Sequence, residues 1–304
     1  MYVAKEKSAP SHEGSKERLT LLLGGNAAGD FKLKPLLVYQ AENPRPLKGI
    51  WKGQLPVIWM ANKKAWVSLA VFEDWFMDHF VLSVERYCTK KGSPFMVLLV
   101  LNNAPEYPAK LGDFHPNVKV VYLPPNTTAL LLPMDQGVID SFKAYYLRRL
   151  IAMALLANET KKDLTLKDFW KSYNILDAVK NITDSWEEVK MTNMNGVWRK
   201  QSPQFVNDFH GFEDTVDHVI KNIVALSKEI DLDMEVDDVT ELLESQEEEL
   251  SAGDLIQLEK QIIEDEVETP TSDLKGFTRQ GLSKGFAVIQ QALATFKVLQ
   301  GYLG

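Results

Sequence analysis

The chain has 304 residues, 45% of them hydrophobic, and a formal net charge of −8. That is enough apolar material for one large domain or two smaller ones. Its single cysteine, Cys88, excludes an internal disulfide, and no Cys/His pattern has zinc-ligand spacing, so a reducing compartment is expected. No stretch reaches the roughly 18 to 20 apolar residues of a membrane-spanning helix, and residues 1–10 carry lysines but no apolar segment, so neither secretion nor membrane embedding is expected. The average charge argues against strong non-specific nucleic-acid binding by the chain as a whole, yet it conceals two halves. Residues 1–150 carry 19 Lys and Arg against 13 Asp and Glu, and residues 151–304 carry 15 against 29. The balance is a mildly basic body with an acidic tail.

In chain order, residues 19–23 and 35–40 are short apolar runs separated by Gly24-Gly25-Asn26, which predicts a hairpin. A phosphate loop at these glycines is disfavoured, because Pro35 follows and no helix opens after them. Between residues 62 and 87 the apolar residues Phe72, Trp75, Phe76, Phe80 and Val84, together with His79, recur at three and four, which predicts a helix with one buried face. Residues 95–101 and 118–123 are unalternated apolar runs, the pattern of strands covered on both faces. After Pro133 the spacing is helical again through Val138, Phe142, Tyr145 and Leu150, with Lys143, Arg148 and Arg149 on the other side. The first half is therefore an α/β body.

Beyond residue 150 the pattern is helical throughout. Thr165 and Asp168 form a capping-box pair ahead of Ile175, Val179, Ile182, Trp186 and Val189, and residues 216–224 space valines and isoleucines as a further helix. From 229 to 268 acids dominate while Val239, Leu242, Leu243, Leu255, Leu258 and Ile262 keep helical spacing, with Ser251 and Asp254 as a cap. Residues 283–299, with Phe286, Ile289, Leu293 and Phe296, predict an amphipathic helix. No internal repeat is evident.

The segment 98–150 holds the sharpest signal. An apolar strand empties into Asn102-Asn103-Ala104-Pro105-Glu106-Tyr107-Pro108, a second ends at Pro124-Pro125-Asn126, and Pro133-Met134-Asp135-Gln136-Gly137-Val138 opens a helix. With the blocks Leu21-Leu22-Leu23-Gly24-Gly25-Asn26-Ala27-Ala28-Gly29-Asp30-Phe31-Lys32, Asn62-Lys63-Lys64-Ala65-Trp66 and Asn195-Gly196-Val197-Trp198, nearly the whole chain resembles the transposase domain of the pogo/Tigger group of DNA transposons. The resemblance implies a ribonuclease H-like mixed sheet that cuts DNA with three aspartates and two divalent ions, magnesium or manganese. Such ions, a few ångströms apart, need carboxylate oxygens to hold them, one to activate the attacking oxygen and one to stabilise the leaving oxygen.

Carried over by position, the second aspartate of the family's Asp-Asn-Ala-Pro-Gly-His-Pro motif falls on Asn102 and the third on Asp135, with 32 residues between them. Asn103, Ala104, Pro105 and Pro108 match that motif, while Glu106 and Tyr107 replace its Gly and His. An amide oxygen can ligate a hard cation but brings no charge to offset two of them. By the same resemblance the first aspartate lies upstream of Tyr2-Val3-Ala4-Lys5, outside this chain, as do the helix-turn-helix domains that find terminal repeats. The expected consequence is a sheet that lacks its first catalytic strand, closes imperfectly or leaves a gap, and is marginally stable and prone to aggregate.

Each of these residues also has a plainer reading. Asn102 suits a turn and Asp135 an N-cap. Trp51, Trp59, Trp66 and Trp75, interleaved with Lys48, Lys52, Lys63 and Lys64, either stack on DNA or anchor packing. Lys63, Lys64, Lys143, Arg148 and Arg149 are the candidate phosphate contacts, or a solvated face. Glu106 is a weak candidate to replace a metal ligand. The expectation is therefore a degenerate transposase domain over 1–205 and an acidic helical tail over 206–304. It is nuclear by resemblance, binds DNA weakly and without sequence preference, holds divalent metal weakly or not at all, and transfers no strands. The competing class is an interaction protein acting through residues 206–304; a working nuclease requires substitutes for two carboxylates.

Overall fold

The computed structural model describes residues 19–102, 107, 111–124, 131–160, 165–200 and 215–244, and these divide into two units. The described residues of Met1–Trp66, Gly137–Arg199 and Gln204–Gln246 form the first, and those of Val67–Gln136 belong to the second. The expected helices at 255–262 and 283–299, with the Ser251 cap, lie outside the described residues.

In the first unit, β1 (Leu19–Leu22) pairs antiparallel with β2 (Leu36–Tyr39), Leu19 opposite Tyr39, as the hairpin reading expects. The turn is tied internally: the Asn26 Oδ1 accepts from the Phe31 N–H at 3.1 Å, and its Nδ2 donates to Asp30 at 2.8 Å. All four residues of β2 are buried. A third strand, β3 (Ile58–Ala61), runs parallel to β2, so the sheet order is β1-β2-β3. The sequence reading contains no strand here. The signal was the apolar run Val57-Ile58-Trp59-Met60 after Pro56, masked by the tryptophan-lysine interleaving around it.

The helices of this unit are α3 (Val138–Thr160), α4 (Leu166–Ser172), α5 (Ile175–Glu188), α6 (Met191–Gly196), α7 (Val216–Glu229) and α8 (Val236–Glu244). The Thr165–Asp168 capping box is present, but it starts the short α4; α5 has its own, from Asn174 and Asp177. Two orphan N–H groups are satisfied reciprocally at each start. Ile175, Val179, Ile182 and Trp186 form the buried stripe of α5, and α3 packs against both α5 and α7. Val219, Ile220 and Ile223 of α7 are buried, and α7 and α8 lie in the first unit.

In the second unit the helix expected from residue 62 begins at Leu69, because Asn62–Trp66 is a turn closed by the Asn62 side chain, whose Oδ1 accepts from the Lys64 and Trp66 N–H groups at 3.2 and 3.1 Å. Helix α1 (Leu69–Trp75) is capped by Ser68 and continues through a π-helical turn, Phe76–Val81, into α2 (Leu82–Lys91), which ends at Gly92 in the left-handed region. The π turn keeps Phe76 and Phe80 on the same side as Trp75, with the two phenyl rings stacked 5.4 Å apart. Strands β4 (Val97–Leu101) and β5 (Val118–Tyr122) pair parallel, Leu101 opposite Tyr122.

Among the described residues the strands form a three-stranded mixed sheet in the first unit and a parallel pair in the second. One expectation is corrected. Strand β4 is half-exposed at all five positions rather than covered on both faces, and among the described residues β1 and β4 each have one neighbouring strand. Continuous apolar sequence reports side chains suited to burial; neighbours must still arrive to cover them.

Candidate functional site

Asn102 is the first residue after β4. Beside it, the Leu123 N–H donates to the Leu101 carbonyl at 2.8 Å, extending the ladder one step beyond β5. Leu123 and Leu131 are fully buried together, with Val100 and Leu132 packed against them. The Leu132 carbonyl in turn accepts from the Asp135 N–H at 3.0 Å, opening the 3₁₀ turn Pro133–Gln136. One apolar cluster thus holds the end of β4, the end of β5 and the start of the turn that carries Asp135. The N-cap reading of Asp135 is corrected: Gly137, with φ +120°, stands before Val138 and separates the two.

The Asn102 Oδ1 is buried and has no hydrogen-bond partner among the described residues. Leaving such an acceptor unsatisfied costs about 1–3 kcal/mol. A carbonyl-type oxygen in that state is a competent ligand for one hard cation. Two dications need more, and among the described residues no group of three or more His, Cys, Asp or Glu side chains comes together. Of the positions that the motif resemblance implies, Asn102 offers an amide oxygen and Asp135 a carboxylate. Glu106 lies outside the described residues, as do Asn103, Ala104, Pro105 and Pro108. Tyr107, where the family motif has His, packs edge-on against Phe72 of α1 with ring centroids 4.6 Å apart.

The candidate phosphate contacts are placed differently from one another. Arg148 pairs with Glu188 and lies over the Tyr145 ring at 5.3 Å, and Arg149 pairs with Asp184 and Glu188. Both guanidinium groups therefore cross-link α3 to α5. Lys64 sits over the Trp66 ring at 5.1 Å, Lys143 is half-buried, and Lys63 is exposed. Of the tryptophans, Trp75 and Trp66 are core, and Trp59 packs on Tyr39 at 5.6 Å, whereas Trp51 is 71% exposed. Burial pushes the Cys88 thiol up, against any role as a nucleophile.

Sequence reasoning missed a polar clasp that joins the matched blocks. The Lys32 Nζ donates to the carbonyls of Trp186, Glu187 and Val189 at 2.6, 3.1 and 2.9 Å, closing the C-terminal end of α5. Burial pulls the Lys32 ammonium below its usual range, with Glu187 opposing. The Trp186 indole N–H donates to the Leu33 carbonyl at 2.9 Å, and the Asn195 amide donates to the Ala27 carbonyl at 2.7 Å. At Gly29, φ +79°, an added Cβ would lie 2.2 Å from the Met191 carbonyl oxygen, so α6 sits directly on the hairpin turn. Two blocks noted separately along the chain are two halves of one contact.

The model of the DDE superfamily endonuclease family matches residues 16–198. The chain belongs to that family. It is 31% identical over 224 residues to human Tigger transposable element-derived protein 7, covering 69% of this chain and 40% of that protein. It is 30% identical to human Jerky protein homolog over 64% of this chain and 33% of the relative, and 30% identical to mouse Tigger transposable element-derived protein 4 over 57% and 30%. This DDE family member is of the pogo/Tigger transposase-derived type, and it spans two fifths or less of the length of these relatives. No solved structure matches it. No helix among the described residues is long and apolar enough to cross a membrane.

Proposed function

We propose that this chain is a transposase-derived DNA-binding domain, ribonuclease H-like in plan and nuclear, that no longer cuts or joins DNA. The observation that supports the reading is Asn102: the motif resemblance implies a carboxylate at this position, and the chain has there, at the end of β4, a neutral amide whose buried oxygen has no hydrogen-bond partner among the described residues. Without the negative charge, two dications packed close together repel each other with less to offset them, and the polarisation of a phosphodiester is lost. Asp135 keeps a carboxylate at the third position that the resemblance implies, on the turn that follows Leu131 and Leu132 of the Leu123 cluster. DNA contact then rests on phosphate attraction to the basic first half, which is sequence-independent and salt-sensitive.

The test is a titration with magnesium and with manganese by calorimetry, alongside a nicking assay on supercoiled DNA, for the chain as it stands and for Asn102→Asp. The expected result is no nicking and weaker ion uptake by the unaltered chain than by the variant. DNA affinity is expected to fall steeply between low and physiological salt. Metal-dependent nicking by the unaltered chain that disappears in Asp135→Ala would sink the proposal.

A further inference from the structure

Trp51 is the most exposed of the large hydrophobic residues among the described positions, at 71%. Its backbone is nonetheless fixed. The Ile50 N–H donates to the Leu47 carbonyl and the Gln54 N–H to the Trp51 carbonyl, at 3.1 and 3.0 Å, so Trp51 stands at the entrance to the 3₁₀ turn Lys52–Gln54. Leu47 and Leu55, on either side, are buried at 0 and 4%. Lys52 points inward, its Nζ over the Trp59 ring of β3 at 5.4 Å, and this ties the turn to the sheet. The indole rests on Gly53: a Cβ there would lie 2.6 to 2.9 Å from three carbons of the ring.

A tryptophan held in place by its surroundings yet left open to solvent gains nothing for the core. Along the chain, residues 43–72 contain Arg45, Lys48, Lys52, Lys63 and Lys64 and no acid, between Glu42 and Glu73. Arg45 and Lys48 are exposed and close to Trp51 in sequence. A flat aromatic face with cations beside it matches a base attached to a phosphate backbone, because every base offers a π-face and the phosphates follow it.

We propose that Trp51 is a stacking platform for an unpaired nucleobase, with Lys48 and Arg45 meeting the adjoining phosphates, so that this surface prefers single-stranded over duplex nucleic acid. The inference deepens the DNA-binding reading above and rests on it. In a duplex the bases are already stacked and their faces closed, so the indole adds nothing there.

The experiment measures binding of labelled oligothymidylate and of a labelled duplex, by anisotropy over a range of salt, to the unaltered chain, Trp51→Ala, Trp51→Phe, Gly53→Ala and Lys48→Glu. Trp51→Ala is expected to weaken oligothymidylate binding about tenfold, to leave duplex binding and the melting temperature unchanged, and to leave the salt slope unaltered, since no phosphate contact is lost. Trp51→Phe keeps most of the affinity. Gly53→Ala, which displaces the ring without removing it, loses a few-fold. Lys48→Glu weakens both ligands and lowers the salt slope by about one. Oligothymidylate is also expected to quench tryptophan emission in the unaltered chain, and the quenching is lost in Trp51→Phe. Equal binding of oligothymidylate by the unaltered chain and Trp51→Ala, with DNA affinity intact, overturns the platform alone. Failure of the unaltered chain to bind either ligand overturns this inference and the DNA-binding reading together.

Discussion

Around α5, polar groups reach across the chain to partners more than a hundred residues away, as Lys32 and the Trp186 indole do. At the end of β4 a buried amide oxygen reaches nothing among the described residues. Both places lie within the stretch matched by the family model, so membership alone does not distinguish them. The difference is one of bonding. A polar group that holds two elements together has its desolvation offset by the bonds it makes, whereas an unpaired buried acceptor carries that cost without return.

The comparison breaks most easily at Trp186. Replacing this indole, 3% exposed, by Ala removes a large buried side chain and the bond to Leu33, and is expected to cost about 3–5 kcal/mol in a denaturant melt. A loss under about 1 kcal/mol would show that the clasp is not what holds α5 to the hairpin. Lys32→Met keeps the aliphatic stem and deletes three bonds to carbonyls, so a smaller loss of about 1–3 kcal/mol is expected. Faster amide exchange confined to the segment around residues 184–189 would locate that effect at the helix end.

At the other region the expected change is favourable. Asn102→Leu, close in volume and without the orphaned oxygen, is expected to stabilise the fold by about 1–3 kcal/mol, the cost of the unsatisfied acceptor. A destabilisation would mean that the oxygen is bonded, and the contrast between the two regions would collapse. The finest measurement concerns the α4 cap. The Thr165 hydroxyl and N–H both donate to the Asp168 carboxylate, holding its pKa below the usual value. Because the folded value is depressed, the cap's contribution is complete above the ordinary carboxylate range and is lost as pH falls through the folded value. A carbon-detected titration is expected to show Asp168 returning upward in Thr165→Val; an unchanged midpoint would remove Thr165 as the cause.

Short-range features are legible in the amino-acid order. The hairpin of β1 and β2, the strand cores of β4 and β5, and the Thr165 capping box each depend on a few neighbouring residues whose spacing and turn chemistry act at short range. Strand β3 escaped because four residues are too few for a period to declare itself among tryptophans and lysines. Arg148 and Arg149 fell on what looked like a polar helix face. Only the arrival of Glu188 and Asp184 from another helix shows that their charges are engaged.

The amino-acid order alone was sufficient for the resemblance to a transposase domain and for the spacing between Asn102 and Asp135, since each is a statement about identity and separation along the chain. Tertiary structure decided which of four interleaved tryptophans meets solvent, which cations are already paired, and that the blocks around Ala27 and Asn195 close on each other. Burial and partnership belong to three-dimensional packing, in which residues distant along the chain become neighbours, and local periodicity carries no record of which distant segment that will be.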